Sequence, residues 1–188
     1  LGVGELMPNL AFRDPMVLNL LRQLEAAGWP LIFDGSSRIG KGYGLVDDPG
    51  MPQLEYCLQA FPKLTVFGHG VPFWSEIGTL DDPGDRDRYP DYPVRAEGAV
   101  PRLLRRYPNL WGDLSAGSGY TALARDPEYA VRFLNEFQDR LCFGTDICFA
   151  SQKLPLAQFL TGLKESGKLS PEAFGKIARG NIVRLLGL

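Results

Sequence analysis

The stretch LTVFGHG, residues 64–70, is a short apolar run that ends in a histidine between two glycines. Further apolar runs end in a carboxylate: LGVGE (1–5), PLIFD (30–34), LWGD (110–113) and LCFGTD (141–146). Apolar runs without polar alternation are typical of strands that are covered on both faces, as in parallel sheets. Because the carboxyl ends of parallel strands meet at one edge, we expect Glu5, Asp34, His69, Asp113 and Asp146 to converge on one mouth.

Segments with helical periodicity separate these runs. Asp14, Asp126 and Ser170 each precede a proline, which predicts a capped helix start, and Gly28 predicts a helix end. Alternation of strand and helix predicts an α/β fold with a parallel sheet. Apolar residues recur at i, i+3, i+4 and i+7 in five sets: Val17/Leu20/Leu21/Leu24, Leu54/Cys57/Leu58/Phe61, Val100/Leu103/Leu104/Tyr107, Ala130/Phe133/Leu134/Phe137 and Leu156/Phe159/Leu160/Leu163.

The composition is that of an ordinary globular protein, with 45% hydrophobic and 22% charged residues among 188. A net charge of -2 gives no reason to expect nucleic-acid or membrane partners. The three cysteines are odd in number and lack a CxxC pair, which indicates free thiols in a reducing, cytoplasmic setting. Residues 1–188 are expected to form one domain. Since residue 1 is a leucine inside a strand-like run, we expect the C-terminal part of a longer protein.

His69, Asp146 and Asp34 are the main candidates for catalytic residues and metal ligands. His69 is the single histidine of the chain, and flanking glycines let the backbone approach a ligand closely. It could serve as a general base or be structural. Asp146 could hold a metal, take a proton from activated water, or cap the next segment. Asp34 could be a metal ligand, a substrate contact or a turn residue.

Glu5 and Asp113 are candidates for orienting another ligand, or for a buried pair with an arginine. The long connection at 70–96 is rich in Pro, Gly and Asp and carries Trp74 among its aromatics. It is either a solvated excursion or an element that covers the substrate, in which Trp74 would contact the substrate or support residues that do. A second loop, 35–50, is expected on the same face.

The chain resembles the amidohydrolase-related (amidohydrolase 2) family. This family includes metal-dependent hydrolases and decarboxylases similar to aminocarboxymuconate-semialdehyde decarboxylase. The resemblance rests on five segments in order: VGEL (3–6), FPKLTVFGHG (61–70), YPNLWGDLSAGSG (107–119), DRLCFGTD (139–146) and KIARGNIVRLLGL (176–188).

The resemblance implies a TIM-barrel (β/α)8 fold, of which this chain looks like units four to eight. It implies a divalent metal, commonly zinc, held by an H-x-H pair, a His and an Asp. Asp146 matches that Asp, His69 matches a His acting on metal-activated water or substrate, and Glu5 matches the family's GxGE glutamate. Two departures stand out: H-x-H is absent, and Asp34 stands where relatives place a His. Either Asp34 is an oxygen ligand, or metal is bound weakly or in a different way.

The expected function is therefore a metal-dependent hydrolase acting on a small polar or cyclic substrate, with His69 and Asp146 as catalytic residues. A non-oxidative decarboxylase on the same scaffold is the alternative, and a barrel that binds a ligand without turnover is another. A metal-free, glycosidase-like pair of carboxylates is a further possibility. Open outer strands invite association, so we expect the chain on its own to be unstable or to aggregate. A homo-oligomer is a separate expectation.

Overall fold

The strands of the computed structural model, which describes residues 2–40 and 42–188, form one sheet. All strand pairings in this part of the chain are parallel, and the order is β1-β2-β4-β5-β6, with β3 paired to β2. β1 and β6 are the outer strands, and association through them stays a prediction. The strands are β1 Val3–Leu6, β2 Leu31–Ser36, β3 Leu45–Val46, β4 Val66–His69, β5 Leu110–Asp113 and β6 Leu141–Cys142.

Helices connect the strands, as the periodicity predicts. The side chain of Asp14 caps the first helix by accepting a hydrogen bond from Met16 N at 2.8 Å. Asp126 and Ser170 cap two later helices in the same way. Gly28 ends the first helix at φ 68°. The helices are α1 Pro15–Ala27, α2 Pro52–Ala60, α3 Val71–Trp74, α4 Ala99–Arg106, α5 Ala116–Ala124, α6 Pro127–Glu136, α7 Pro155–Glu165, α8 Pro171–Gly175 and α9 Asn181–Leu186.

Shorter turns of helix complete the described chain. Ser75–Ile77 and Pro83–Asp87 are 3-10 turns inside the long connection, and Lys176–Gly180 is a π turn between α8 and α9. None of the helices in residues 2–40 and 42–188 combines the length and the apolar character that crossing a membrane requires. The predicted parallel α/β fold is confirmed.

The sheet differs from the sequence-based expectation at two places. β3 was not predicted; its two residues pair with Gly35 and Ser36 at the end of β2. β6 is shorter than the run LCFGTD suggests. The backbone N–H of Phe143 donates to the carbonyl oxygen of Ile177 at 2.9 Å instead of to a neighbouring strand, so the chain leaves the sheet there. Asp146 therefore lies in the loop after β6 and does not end a strand.

The two faces of the sheet carry different residues because side chains alternate along each strand. Leu31, Val66, Leu110 and Leu141 point to the main core under the helices. Their neighbours in sequence belong to a smaller cluster on the opposite face, which Ile182 and Leu185 of α9 partly cover. That cluster comprises Phe67, Trp111, Cys142 and the partly buried Ile32.

Aromatic rings hold the long connection to the main core. Phe73 and Trp74 are each 1% exposed, and their centroids lie 5.1 Å apart at nearly a right angle. Phe33 and Phe133 extend this edge-to-face chain on either side. Such pairs add about 0.5–1.5 kcal/mol each beyond the area they bury. The first part of the connection is thus packed and not solvated.

A buried ion network fixes the middle of the same connection. Arg86 Nε lies 2.6 Å from Glu76 Oε1, and Arg86 also donates to the carbonyl of Asp47. The Asp47 carboxylate accepts backbone N–H groups of the chain that leads into α2. Burial raises the pKa of Asp47, against the lowering effect of these hydrogen bonds and of Arg86. The network joins the connection to the loop after β3.

A polar contact also joins α2 and α4. Glu55 on α2 accepts hydrogen bonds from Arg102 and from the Tyr107 hydroxyl, each at 2.8 Å. Arg106 lies 3.2 Å from the same carboxylate. Burial raises the pKa of Glu55, but these hydrogen bonds and charges lower it by more, so that the pKa lies below its ordinary value.

Candidate active site

Strand register brings the predicted residues together. Asp34 of β2 lies opposite His69 at the end of β4, and Gly68 of β4 lies opposite Gly112 of β5. Asp113 therefore stands beside His69. Because alternate side chains share a face, Asp34, His69 and Asp113 lie on the same face as the smaller cluster.

His69 lies between two carboxylates. Its Nε2 is 3.1 Å from Glu5 Oε1, and its Nδ1 is 3.0 Å from Asp113 Oδ2. The ring is 5% exposed. Burial lowers the pKa of His69, but the hydrogen bond and charge of Asp113, with the charges of Glu5 and Asp34, raise it above its ordinary value. The two carboxylates fix both the position and the protonation preference of the ring.

Asp113 is itself held in place. Ser115 Oγ donates to Asp113 Oδ2 at 2.7 Å, and Ser115 N donates to Oδ1 at 3.0 Å. Ser115 Oγ also lies 3.3 Å from His69 Nδ1. The sequence-based reading did not select Ser115, although the D-x-S spacing after β5 is the signal that marks it. Asp113, Ser115 and His69 form one connected group.

Trp74 supports this group from the core. Its indole Nε1 donates to the carbonyl oxygen of Asp113 at 2.8 Å. The ring is 1% exposed and packs against Phe73 and Phe133. Of the two roles proposed for Trp74, the structure therefore favours support of Asp113 over contact with substrate.

Glu5, Asp34 and His69 form a group suited to a metal ion. Each offers one ligand atom, and these atoms all lie within 4.8 Å of one another. Burial raises the pKa of Asp34 to about 6; the positive charge of His69 opposes this shift, and the charge of Glu5 adds to it. A divalent cation would stabilise both carboxylates in their charged forms. Two oxygen donors and one imidazole nitrogen are a donor set that divalent transition metals accept.

Gly70 makes room for the Asp34 carboxylate. A Cβ at residue 70 would overlap Asp34 Oδ1 and would lie 2.8 Å from Asp34 Cγ. Its backbone, at φ 87° and ψ 170°, is in a region that only glycine adopts readily. Gly68 serves packing instead, because a Cβ there would overlap the Phe73 ring. The GHG sequence thus places a histidine and a carboxylate side by side.

Asp146 lies at the edge of this arrangement. It is exposed, has a positive φ of 49°, and lines the cavity walls together with Glu5 and His69. Within the described residues its carboxylate is not part of the three-residue metal group. Gln152 Nε2 donates to its carbonyl at 2.9 Å. Metal binding by Asp146 stays a prediction.

Two cavities meet at these residues. The larger cavity has a volume of about 940 Å³, and Asp34, Tyr43 and Tyr89 line its wall. Both loops predicted at the mouth, 35–50 and 70–96, therefore contribute to it. The smaller, about 420 Å³, runs over the apolar face formed by Ile32 and Phe67. We call the larger cavity the cleft. The long connection therefore both packs in the core and supplies a wall of the cleft.

The sequence matches the amidohydrolase family model, Amidohydro_2, over residues 2–188. No curated protein matches the chain.

Solved structures with TM-scores above 0.5 share the fold, and a more distant one is also similar. A TIM-barrel protein from Bordetella bronchiseptica is 22% identical with a TM-score of 0.55, over 94% of this chain and 52% of that one. An amidohydrolase from Burkholderia multivorans, with bound zinc, is 17% identical with a TM-score of 0.59, over 93% of this chain and 58% of that one. A dihydroxybenzoic acid decarboxylase from Polaromonas sp. JS666, with bound manganese and 2-nitroresorcinol, is 13% identical with a TM-score of 0.48, over 95% and 55%.

These similarities concern the fold, because the identities are low. The decarboxylase is too distant in structure to bear on the reaction. The chain spans about half the length of the solved structures that it matches.

Proposed function

The chain belongs to the amidohydrolase family, and on that premise we propose that it acts as a divalent-metal-dependent hydrolase on a small polar or cyclic substrate. The observation that carries the proposal is the group formed by Glu5, Asp34 and His69, whose ligand atoms lie within 4.8 Å of one another in the wall of the cleft. When bound there, a divalent cation supplies a Lewis acid that polarises a carbonyl and favours deprotonation of water.

Asp113 prepares His69 for its role as a ligand. Its carboxylate accepts the proton of His69 Nδ1, which leaves Nε2 directed at Glu5 and the metal group. A carboxylate behind a ligating histidine fixes the tautomer and raises the basicity of the ring. Ser115 and Trp74 hold Asp113 so that this orientation is maintained.

Asp146 is the residue that we propose for proton transfer. Asp146 is exposed and lines the cleft together with Glu5 and His69. It is not one of the three residues of the metal group. In hydrolysis it would take a proton from the attacking water on a carboxylate oxygen and then deliver that proton to the leaving group. The exposed rings of Tyr43 and Tyr89 would contact the body of the substrate.

Zinc is the first metal to test, because imidazole and carboxylate ligands both bind it well. The chain is freed of metal by a chelator and titrated with Zn²⁺ or Mn²⁺, and bound metal is measured by elemental analysis. Hydrolysis of a panel of lactones and amides is followed in parallel with CO2 release. The matched variants are Asp34→Asn and Asp91→Asn, since Asp91 is exposed and outside the cleft.

We expect one metal per chain and metal-dependent hydrolysis in the wild type and in Asp91→Asn, with both lost in Asp34→Asn. Hydrolysis that survives complete removal of metal would show that the reaction is not metal-dependent. CO2 release without hydrolysis would assign a decarboxylase instead.

A further inference from the structure

The described part of the cleft wall carries a negative charge. Four carboxylates line it, those of Glu5, Asp34, Asp87 and Asp146, whereas Arg38 is the one permanently charged cation among the described lining residues. A divalent metal held by Glu5 and Asp34 would cancel the charge of those two residues and leave Asp87 and Asp146 against Arg38. The balance is therefore negative with or without a metal.

His69 and Arg38 do not supply a free positive charge to this wall. A protonated His69 would be matched by Asp113, whose carboxylate lies 3.0 Å from its Nδ1. Arg38 Nη2 lies 3.6 Å from Asp87 Oδ2, and Ser37 Oγ donates to the same oxygen at 2.6 Å. Because each of these cations has a carboxylate beside it, an anionic group in the cleft would meet mainly negative charge.

Two tyrosine rings stand in the same wall. Tyr43, from the loop after β2, is 61% exposed, and Tyr89, from the long connection, is 53% exposed. No arginine or lysine in the described part of the chain stacks on either ring. The face of a tyrosine ring attracts cations, ammonium groups included. The negative charge of Asp34 raises the pKa of Tyr43, so this ring stays uncharged at neutral pH.

The acidic residues and the rings share one concave space. The cleft holds about 940 Å³, which is room for a small ring with a substituent, and Asp34 in its wall is 8% exposed. A Cβ at Gly44 would lie 2.7 Å from the carbonyl oxygen of Asp34, so the chain next to Tyr43 packs directly on the end of β2. A positively charged group in the cleft would therefore have both carboxylates and aromatic faces as neighbours.

We propose that the cleft selects a substrate that carries a positively charged amino group beside its hydrolysable carbonyl, and that Asp87 sets this preference by pairing with Arg38. The amino group would lie among the wall carboxylates and the rings of Tyr43 and Tyr89. That the occupant is a substrate rests on the proposed hydrolase function. The preference for charge is a property of the cleft and is measured without turnover.

The test compares three N-alkyl pyrrolidinones of equal length that end in an ammonium, a methyl or a sulfonate group. Their lactam ring resists hydrolysis, and they are titrated by calorimetry into the chelator-treated chain, so that no ligand atom coordinates a metal. The ammonium ligand should bind about 10-fold more tightly than the sulfonate, with the methyl ligand between them. Addition of about 0.5 M NaCl should reduce this ratio, because salt screens exposed charges.

Two exposed variants should shift the ratio of ammonium to sulfonate affinity in opposite directions. Asp87→Asn removes the counter-ion of Arg38 and should lower the ratio roughly 3- to 10-fold, whereas Arg38→Gln should raise it by a similar factor. The matched controls, Asp91→Asn and Arg22→Gln, make the same changes of charge at exposed positions outside the cleft and should leave the ratio unchanged.

A general loss of structure would not produce opposite shifts. Sulfonate binding as tight as ammonium binding would overturn the proposal, and so would a lack of measurable binding of the ammonium ligand. A ratio that stays unchanged in both Asp87→Asn and Arg38→Gln would overturn the role of Asp87. Absence of hydrolysis of amino-substituted lactones by the metal-loaded chain, with the preference for the ammonium ligand intact, would refute only the hydrolase.

Discussion

Gly70→Ala tests whether the site depends on the contact between the backbone of residue 70 and the Asp34 carboxylate. A Cβ would overlap Asp34 Oδ1 and lie 2.8 Å from Asp34 Cγ, so the carboxylate has to move. The backbone at φ 87° and ψ 170° adds strain of about 1–3 kcal/mol for any residue other than glycine. We expect a loss of about 3 kcal/mol in the free energy of unfolding and a roughly 10- to 100-fold loss of metal affinity.

Gly28→Ala is the matched control. Gly28 also has a positive φ, 68°, but a Cβ there would meet nothing within 4 Å. The control should cost about 1–2 kcal/mol of stability from backbone strain alone and leave metal affinity unchanged. Stability is measured by urea unfolding of the metal-free chain, and affinity by calorimetric titration with Zn²⁺ and Mn²⁺. Unchanged metal affinity in Gly70→Ala would refute the argument that this glycine positions a metal ligand.

The remaining predictions concern the core, the thiols and one ion pair. Phe133→Ala should lower the free energy of unfolding by about 3–5 kcal/mol, measured by urea denaturation, because the buried ring lies in the chain of aromatic contacts; a loss below about 1 kcal/mol would contradict this. A thiol reagent at pH 8 should label Cys148 rapidly and the other cysteines only after unfolding, because burial raises the pKa of both Cys57 and Cys142 to about 12; rapid labelling of more than one thiol in the native chain would count against it. Glu55→Gln should cost about 1 kcal/mol at pH 7, since its arginine and tyrosine partners lower the carboxyl pKa despite burial. That contribution is present above the ordinary value of 4.5 and is lost as pH falls through the lower folded pKa, so the stability curves of variant and wild type should converge in acid.

The fold was accessible from the sequence because its signals are local. Apolar runs without alternation mark buried parallel strands, and the caps at Asp14, Asp126 and Ser170 follow from the chemistry of helix starts. The end of β6 was not accessible, because Phe143 leaves the sheet through a hydrogen bond to Ile177, far along the chain. Whether Asp146 ends a strand therefore depends on a contact with a distant part of the chain, which the sequence does not show.

The site was accessible only in part, for the same reason. The sequence predicts that Glu5, Asp34, His69 and Asp113 share one edge. The register of the sheet places Asp34, His69 and Asp113 there, and Glu5 lies 3.1 Å from His69. It does not predict which carboxylate contacts which ring nitrogen, because that depends on side-chain direction. Trp74 illustrates this limit, since an aromatic residue in a long connection can line a cleft or enter the core.

A sharper limit concerns Arg38 and Asp87, which no motif distinguishes. They belong to the two loops predicted at the mouth and lie far apart in the chain. Only the structure shows that their side chains lie 3.6 Å apart in the wall of the cleft. The charge that the cleft presents to a ligand depends on such pairs, and the sequence alone does not reveal them.

Anomalous X-ray scattering shows directly whether Glu5, Asp34 and His69 hold a metal ion. Crystals grown with Zn²⁺ or Mn²⁺ are measured on both sides of the absorption edge of the metal. We expect one anomalous peak at about 2.0–2.2 Å from a carboxylate oxygen of Glu5, one of Asp34 and a ring nitrogen of His69. A fully occupied peak that excludes Asp34, or the absence of any peak at this group in metal-saturated crystals, would contradict it.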